Sequence, residues 1–341
     1  MFMYSIMIVI GFVLLVLGAE LLVRGSSNIA SKFHIPEMLI GLTIVALGTS
    51  APELIITVTS AFSGNTDLII GNAIGSNLCN LLFILGLMAI IRPIFIDEDA
   101  KKIHIPIAFL SVLVILFIEI SHISSNPSFI GRVDGIILVI LFLAYFTYPI
   151  FSEIKDIRKA YKENMNEEST KNIKIFVQII FIIIGIVLLK FGGDFVVDYS
   201  TEIAQALGIS ERVIGLTIVA IGTAMPELIT SIIAVIRKDT DLAVGNLVGS
   251  CVLNLLLILG VGAIITPLEF SNEFTQNLIL LAISTLILWI FNFIGKKNTI
   301  TRFKGFILLI IFTFYMVGLF VWFGTDGGTR THMVSRQILN L

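Results

Sequence analysis

The sequence predicts an all-α membrane protein with ten transmembrane helices arranged as two inverted-topology repeats of five helices each. Hydrophobic residues make up 57% of the 341 residues and charged residues only 13%, a balance that water-soluble domains do not tolerate. The chain contains about ten apolar runs of roughly 20 residues, the length that a helix needs to cross the hydrocarbon core of a bilayer. The two halves of the chain also repeat one another.

The apolar runs define the predicted spans. In chain order they cover residues 4–23, 37–62, 67–91, 103–120, 129–151, 174–196, 211–236, 241–265, 275–295 and 303–323. The first run is too long for a cleaved signal peptide and lacks a basic leader and a small-residue cleavage site, so we expect it to remain as a span. Cys79 and Cys251 lie inside apolar runs, and we expect them to be small buried fillers.

An offset of 174 residues reveals the internal duplication. It aligns GFVLLVLGAELLV from Gly11 with GIVLLKFGGDFVV from Gly185, and GLTIVALGTSAPEL from Gly41 with GLTIVAIGTAMPEL from Gly215. An odd number of spans in each half makes equivalent helices enter the membrane from opposite sides, so the repeat is inverted. The predicted division is a first repeat over 1–152, a linker loop over 153–173, a second repeat over 174–324 and a polar, disordered tail over 325–341.

The basic residues predict the orientation of the chain in a cell membrane. Short cytoplasmic loops carry an excess of lysine and arginine, and the predicted linker 153–173 is rich in both. Counting spans outward from a cytoplasmic linker places most of the 22 lysines and arginines on the same side. Both termini are then expected outside the cell, and the linker is expected to be flexible and solvated.

The second span of each half carries a Gly-Thr-x-x-Pro-Glu motif, GTSAPE ending at Glu53 and GTAMPE ending at Glu227. A proline within a helix removes a backbone donor and displaces the carbonyl four residues earlier, which releases carbonyls around 46–48 and 220–222. An acid in the middle of a span costs about 3 kcal/mol on insertion scales. A simple kink with a neutral, hydrogen-bonded glutamate would explain one copy. Two copies in inverted halves favour a bound cation.

The third and eighth spans carry related polar motifs, GNAIGSNLCN and GNLVGSCVLN. Asn72, Ser76 and Asn80 follow an i, i+4, i+8 spacing that forms one polar stripe, and the offset repeats it at 246, 250 and 254. The paired glycines have the G-x-x-x-G spacing that permits close helix approach. The stripes could serve only to join helices, but we interpret them as part of the same site as the proline breaks.

All of the converging groups are oxygen donors. The candidate ligands are the carboxylates of Glu53 and Glu227, the hydroxyls of Thr49, Ser50, Thr223, Ser76 and Ser250, the amides of Asn80 and Asn254, and released backbone carbonyls. Oxygen-only sites suit Ca²⁺ and Na⁺, whereas zinc, copper and iron sites use imidazole or thiolate, and Mg²⁺ demands a strict octahedron. The four histidines lie outside these motifs.

The charge of this site suggests how it would work. Two ionised glutamates would balance one Ca²⁺ or a set of monovalent cations. An empty site with two negative charges would be costly to carry through a low-dielectric occluded state. We therefore expect the protein to change sides mainly when loaded, as an exchanger does.

These paired motifs resemble the two α-repeats of the sodium/calcium exchanger family, within the calcium/cation antiporter superfamily. The resemblance covers about 11–93 and 185–267 through the motifs, and the ten-span layout extends it over nearly the whole chain. It implies that spans two, three, seven and eight form the ion-binding core, while spans one and six slide to alternate access. It also implies Ca²⁺ coordination by Glu53 and Glu227 with help from Thr49 and Thr223.

The resemblance further implies which residues bind sodium. These are the two acids together with Ala46, Thr49, Ser50, Ser76, Ala220, Thr223 and Ser250. The chain departs from the family pattern at two positions. Ala224 replaces a serine, which removes one hydroxyl ligand, and Asn254 stands where several relatives carry an aspartate. The sodium stoichiometry and any role for protons or potassium stay open for this reason.

Two other functions are compatible with some of these residues. A Ca²⁺/H⁺ antiporter would use the same site, with both glutamates accepting protons on the return step. An intramembrane acid-dyad enzyme could use Asp194 and Asp198, but Glu20 is the only comparable acid at the paired position in the first span. We expect a transporter rather than an enzyme, with no cofactor and no nucleic-acid partner. Its partners are the transported ions and the lipid bilayer, and one chain suffices.

Overall fold

The computed structural model describes residues 2–121, 128–164, 174–207, 220–270 and 272–323. The first part of the predicted seventh span, the second part of the predicted linker and the predicted tail 325–341 lie outside the described residues.

The described residues are almost entirely helical. The helices are α1 (Phe2–Phe33), α2 (Glu37–Thr49), α3 (Ala51–Phe62), α4 (Thr66–Ile91), α5 (Ala100–Ser121), α6 (Arg132–Asn164), α7 (Ile175–Ala206), α8 (Ala220–Thr223), α9 (Met225–Arg237), α10 (Thr240–Ile265), α11 (Asn272–Phe291) and α12 (Arg302–Phe323). Four short strands are β1 (Ile94–Phe95), β2 (Ser128–Ile130), β3 (Leu268–Phe270) and β4 (Thr299–Ile300).

Seven helices among the described residues are long and apolar enough to cross a membrane, or eight if the bent pair α2 and α3 counts as one span. This confirms a multi-pass, all-helical architecture. Individual helices extend beyond the predicted spans. Helix α1 continues to Phe33, about ten residues past the predicted end of the first span, since the segment after the apolar run contains no proline to stop it.

One boundary prediction was wrong. The first part of the predicted linker loop is helical, because α6 continues through residues 153–164 to Asn164. This segment, EIKDIRKAYKEN, has no glycine or proline and is rich in lysine, arginine and glutamate, which are strong helix formers. Its solvated composition had pointed to a loop, although a charged helix can also project from a membrane.

The proline breaks occur where the motifs predict them. Helices α2 and α3 meet at an angle of 46°, and the connecting residue Ser50 leaves the helical conformation with φ −87° and ψ 9°. The second half repeats the geometry between α8 and α9, where Ala224 has φ −84° and ψ 1°. Pro52 and Pro226 stand in the first turn of the following helix, a position where the missing N–H costs nothing. The two breaks therefore have the same backbone construction.

Helices α4 and α10 each contain a wider, π-helical segment near the middle. These segments span Cys79–Ile84 in α4 and Leu253–Ile258 in α10. Asn80 and Asn254 are their second residues, at equivalent positions under the offset of 174. A π-bulge interrupts the regular pattern of backbone hydrogen bonds and frequently occurs at functional sites. Both π-helical segments contain a residue of the polar stripe, so this part of each helix is a candidate functional region.

Small residues bring helices of the two halves into close contact. A Cβ atom on Gly11 would lie 2.9 Å from the carbonyl oxygen of Gly192, and one on Gly18 would lie 2.8 Å from that of Gly185. The residue numbers run in opposite directions along this seam, so α1 and α7 are antiparallel. Such backbone proximity is possible only where both helices lack side chains at the crossing.

Two further contacts between the halves are reciprocal. Gly41 in α2 packs against Gly245 in α10, where an added Cβ would lie 2.4 Å from a backbone oxygen. Strand β1 pairs with β4, and β2 pairs with β3, both antiparallel. Each small sheet therefore joins a strand from one half to a strand from the other.

Candidate ion-binding site

The polar residues of the four motifs converge in the interior of the bundle. Buried side chains with at most 4% exposure are Thr49, Ser50, Glu53, Ser76, Asn80, Glu227, Ser250 and Asn254. They come from the break between α2 and α3, from the start of α9, and from the stripes on α4 and α10. Burial of so many polar groups at mid-span is costly unless they serve one another or a ligand.

Ser50 joins the two halves at the centre of this cluster. Its hydroxyl donates to Glu227 Oε1 at 2.9 Å and lies 3.0 Å from the hydroxyl oxygen of Ser250. Ser50 belongs to the first proline break, whereas Glu227 follows the second one. The two carboxyl groups, Glu53 and Glu227, are close enough to interact electrostatically. The two breaks therefore face each other across one polar interior.

A second connection runs from the first break into the second half. The Thr49 hydroxyl donates to Asn246 Oδ1 at 3.1 Å, and Asn246 Nδ2 donates to the Ser231 hydroxyl at 3.2 Å. The Thr49 hydroxyl also lies 3.4 Å from the carbonyl oxygen of Ala46. This places the Ala46 carbonyl beside the cluster, on the helical turn that precedes the break.

Two amides of the stripes form a third connection. Asn77 Nδ2 donates to the backbone carbonyl of Cys251 at 3.0 Å, and Asn254 Nδ2 donates to Asn77 Oδ1 at 3.1 Å. The thiols of Cys79 and Cys251 are buried and free, in agreement with the filler role expected for them.

Several buried polar atoms of the cluster have no hydrogen-bond partner among the described residues. Five are oxygens, namely both carboxylate oxygens of Glu53, Oε2 of Glu227, Oδ1 of Asn254 and Oδ1 of Asn80, and one is the amide nitrogen of Asn80. An ionised carboxylate without a partner in a low-dielectric interior costs several kcal/mol of desolvation free energy, and the attraction of a bound cation can offset this cost. Carboxylate, amide and hydroxyl oxygens are ligands that hard cations such as Ca²⁺ and Na⁺ prefer. The residues present therefore fit a cation.

Within the described chain, no group of three or more histidine, cysteine, aspartate and glutamate side chains forms a metal cluster. The candidate site has two acids only, and its other donors are neutral. This composition differs from a resident calcium site of several carboxylates and suits an ion that must also leave.

The structure brings together most of the residues expected from the sequence. Thr223 is half-buried and engaged in an interaction of its own, and Ala220 begins α8. Three buried residues that were not among the predicted ligands also form hydrogen bonds with the cluster: Asn77, Asn246 and Ser231. Asn246 was part of the predicted stripe. No sequence signal separated Asn77 from its apolar surroundings except its place beside Ser76.

Comparisons with known proteins identify the family of this chain. A family model for the sodium/calcium exchanger protein matches residues 3–151 and 177–321. The chain is 33% identical to a putative antiporter, CaxA, of Alkalimonas amylolytica, over 94% of this chain and 99% of that protein. It is 30% identical to the sodium/calcium exchanger MaX1 of Methanosarcina acetivorans, over 92% and 98% respectively.

Solved structures give the same result. The sodium-calcium exchanger NCX_Mj, soaked with 10 mM Na⁺ and zero Ca²⁺, aligns with a TM-score of 0.78 at 30% identity, covering 94% of this chain and 100% of that one. A second structure of NCX_Mj, soaked with 2.5 mM Na⁺ and 0.1 mM Ca²⁺, gives 0.77. The chain is therefore a multi-pass membrane cation antiporter rather than an enzyme. It belongs to the sodium/calcium exchanger family.

Proposed function

We propose that this protein exchanges Ca²⁺ for Na⁺ across the cell membrane by alternating access to one mid-membrane site. One observation carries the proposal. Two buried acids from different halves, Glu53 and Glu227, interact at the centre of the bundle, and three of their four carboxylate oxygens have no protein partner among the described residues. A bound cation would supply the missing partner for each oxygen.

The proposed ligands are the residues on which the sequence motifs converge. Glu53 and Glu227 would hold Ca²⁺, with oxygens of Thr49 and Thr223 completing the shell. Sodium would use the same acids and a larger set of neutral oxygens, namely those of Ala46, Thr49, Ser50, Ser76, Ala220, Thr223 and Ser250. Asn80 and Asn254 would contribute amide oxygens from the π-helical segments.

The proposed architecture is ten spans in two inverted repeats. The antiparallel packing of α1 against α7 supports it, because these helices are equivalent under the offset of 174 and an inverted repeat requires them to run in opposite directions. The reciprocal pairing of β1 with β4 and of β2 with β3 supports it as well. In this arrangement both termini lie outside the cell and the linker lies in the cytoplasm.

The proposed transport cycle follows from charge. Two ionised carboxylates in a closed, low-dielectric site repel one another, so the empty protein changes sides rarely. One Ca²⁺, or sodium ions that balance the same charge, removes this penalty and permits the movement. Sliding of α1 and α7 past the core would expose the site first on one side and then on the other. Because one chain supplies all of these groups, a monomer suffices.

Sodium as the counter-ion is supported by the donor set and by a relative. The neutral hydroxyl and carbonyl oxygens around the acids are typical sodium ligands and offer little to a proton. The Methanosarcina acetivorans relative is named a sodium/calcium exchanger. Both stripe amides, Asn80 and Asn254, are neutral, so the formal charge of the site comes from the two glutamates alone.

The experiment is sodium-gradient-driven ⁴⁵Ca²⁺ uptake into proteoliposomes at clamped pH. We expect uptake in the wild type and a loss of at least about a hundredfold in Glu53→Gln, since a cation would lose a buried charged partner. Glu119→Gln is the matched control, because Glu119 is also a buried acid within a helix but accepts a hydrogen bond from Thr275, away from the site. Normal uptake by Glu53→Gln would refute the proposal.

A Ca²⁺/H⁺ antiporter is the second candidate. It is favoured by the same unpartnered oxygens of Glu53, since a carboxylate without hydrogen-bond donors can take up a proton instead of a metal ion. Calcium uptake driven by a pH gradient in sodium-free proteoliposomes would favour protons. No uptake under these conditions, combined with sodium-driven uptake at clamped pH, would favour sodium.

A further inference from the structure

Asn77 occupies a special position between the two halves. It is fully buried in α4 and follows Ser76 directly. The offset of 174 makes it the counterpart of Cys251 in α10, and its side chain contacts the backbone of that same residue. Two equivalent positions that touch each other must lie near the axis that relates the halves. Only one of these two positions carries an amide side chain, so the hydrogen bonds of Asn77 have no symmetric copy made by Cys251.

The hydrogen bonds of Asn77 fix its own orientation. A backbone carbonyl can only accept, so the atom 3.0 Å from the Cys251 oxygen must be the Asn77 amide nitrogen. The Asn77 oxygen therefore points the other way and must accept a hydrogen bond. It receives one from Asn254 Nδ2 at 3.1 Å.

This arrangement in turn fixes Asn254. Because its amide nitrogen is engaged by Asn77, its oxygen must point away from Asn77. That oxygen is buried and has no hydrogen-bond partner in the described part of the chain. The side-chain amide of Asn77 orients that of Asn254, and the side-chain oxygen of Asn254 is therefore an oriented acceptor without a partner among the described residues.

The equivalent amide in the first half has no such support. Neither the nitrogen nor the oxygen of Asn80 has a partner among the described residues. The residue that would have to hold it, by symmetry with Asn77, is Cys251, whose thiol cannot act as an amide donor and acceptor. Asn80 and Asn254 are therefore equivalent in sequence but unequal in orientation.

We propose that Asn77 is a positioning residue, which holds the side-chain oxygen of Asn254 toward the ion site and so makes it a preorganised cation ligand. This inference rests on the proposed exchange function and deepens it. A ligand that is already oriented spares the cost of ordering it when the ion binds. Loss of Asn77 should therefore weaken cation binding while leaving the movement between the two access states largely intact.

The test uses the pseudo-symmetry of the chain. Asn77→Ala removes the support, and we expect the apparent KM for Ca²⁺ in sodium-driven uptake to rise about tenfold, as loss of a buried hydrogen bond implies. The maximal rate should stay within about twofold of the wild type. The double variant Asn77→Ala with Cys251→Asn moves the amide to the other half. There it can donate to the carbonyl of residue 77 and accept from Asn80, so the KM should recover to within about threefold.

A second readout separates positioning from general damage. Ca²⁺-dependent thermal stabilisation in detergent should weaken in Asn77→Ala and return in the double variant. Ser284→Ala is the control, because this buried hydroxyl donates to the Leu280 carbonyl within its own helix and has no other hydrogen-bond partner among the described residues, and it should change neither readout. An unchanged KM in Asn77→Ala, or a raised KM with no recovery in a double variant of wild-type melting temperature, would overturn the proposal.

Glu53→Gln, measured in parallel, tells the two hypotheses apart. If Glu53→Gln loses uptake while Asn77→Ala keeps the wild-type KM, the exchange function stands and the positioning role fails. If Glu53→Gln retains uptake, the proposed site itself fails.

Discussion

The surroundings of the two buried acids differ although their backbones are alike. Ser50 and Ala224 have nearly the same dihedral angles at the two proline breaks. Glu227 nevertheless receives a hydrogen bond from Ser50, whereas neither oxygen of Glu53 has a partner among the described residues. The cause is a single atom, because Ser50 has a hydroxyl and its counterpart Ala224 has none.

This difference shows that the two repeats share the backbone structure around the candidate site but not all of its side-chain hydrogen bonds. A proline break, a π-helical segment in the helix that carries the polar stripe, and two short strands occur in each half. Ser50 and Asn77 donate hydrogen bonds from the first half to the second, which their counterparts Ala224 and Cys251 cannot return because these residues have no hydroxyl and no side-chain amide. In the proposed cycle, ions would therefore meet an ordered set of ligands around Glu227 and a looser set around Glu53.

The largest effect is expected from adding a methyl group where α10 packs against α2. Gly245→Ala would place a Cβ atom 2.4 Å from the Met38 carbonyl oxygen, and backbone cannot yield as a side chain does. We expect a loss of about 3 kcal/mol or more in stability, or failure to fold, measured by thermal unfolding in detergent. Gly262→Ala in the same helix meets only the side chains of Ile69 and Thr57, at 3.0 and 3.3 Å, and should be tolerated. Equal melting temperatures would contradict close packing at Gly245.

A smaller effect is expected from exchanging the hydroxyl between the halves. Ser50→Ala removes the donor to Glu227, and we expect the KM for Ca²⁺ to rise about tenfold. Ala224→Ser adds a donor at the equivalent position near Glu53 and should lower the KM about threefold. Calcium titrations of sodium-driven uptake would measure both. Changes of the same sign in the two variants would show that the hydroxyls do not act as symmetric counterparts.

A further asymmetry lies at one end of the core. Arg237 at the end of α9 forms a two-pronged ion pair with Glu20 in α1, and Ser27 donates to Asp239 at 2.8 Å. The counterpart of Glu20 is Asp194, which pairs with Lys190 in its own helix. If α1 slides during transport, the ion pair between Arg237 and Glu20 must break in each cycle. Arg237→Gln removes this pair and should raise the maximal exchange rate, by only about twofold because a half-exposed ion pair contributes little, and it should leave the KM unchanged. Lys190→Gln is the control and should change neither value.

The smallest effect is expected in the loop after β1. Glu98 is exposed, and hydrogen bonds from Lys102 and Asn298 lower its pKa to about 2. Because the pKa in the folded state lies below the unfolded value of 4.5, the contribution of this carboxylate is complete above about pH 4.5 and is lost as the pH falls toward 2. Glu98→Gln should lower the melting temperature slightly at pH 7, and the difference from the wild type should shrink at pH 3. A constant difference would exclude the linkage.

Much of the fold and site follows from the sequence for definite physical reasons. Prolines break helices and buried acids need partners, so Pro52, Glu53 and their counterparts marked the site. The five spans expected in each half predicted that α1 and α7 run in opposite directions, and the two helices are antiparallel. These features depend on local chemistry or on counting, and both can be read without coordinates.

Other features were not predictable because they depend on the partner helix. The π-helical segments have no sequence signature, and the helical continuation of α6 competes with an equally plausible solvated loop. The role of Asn77 depends on which carbonyl faces it across the interface. The stripe member Asn72 is only half-buried, whereas its counterpart Asn246 is engaged by Thr49.

Calcium binding to the purified protein tests the central claim most directly. Isothermal titration in sodium-free buffer should show saturable Ca²⁺ binding in the wild type, and no binding in the double variant Glu53→Gln with Glu227→Gln. Competition by added Na⁺ should weaken the wild-type signal. Wild-type affinity and stoichiometry in the folded double variant would contradict a shared ion between the two acids.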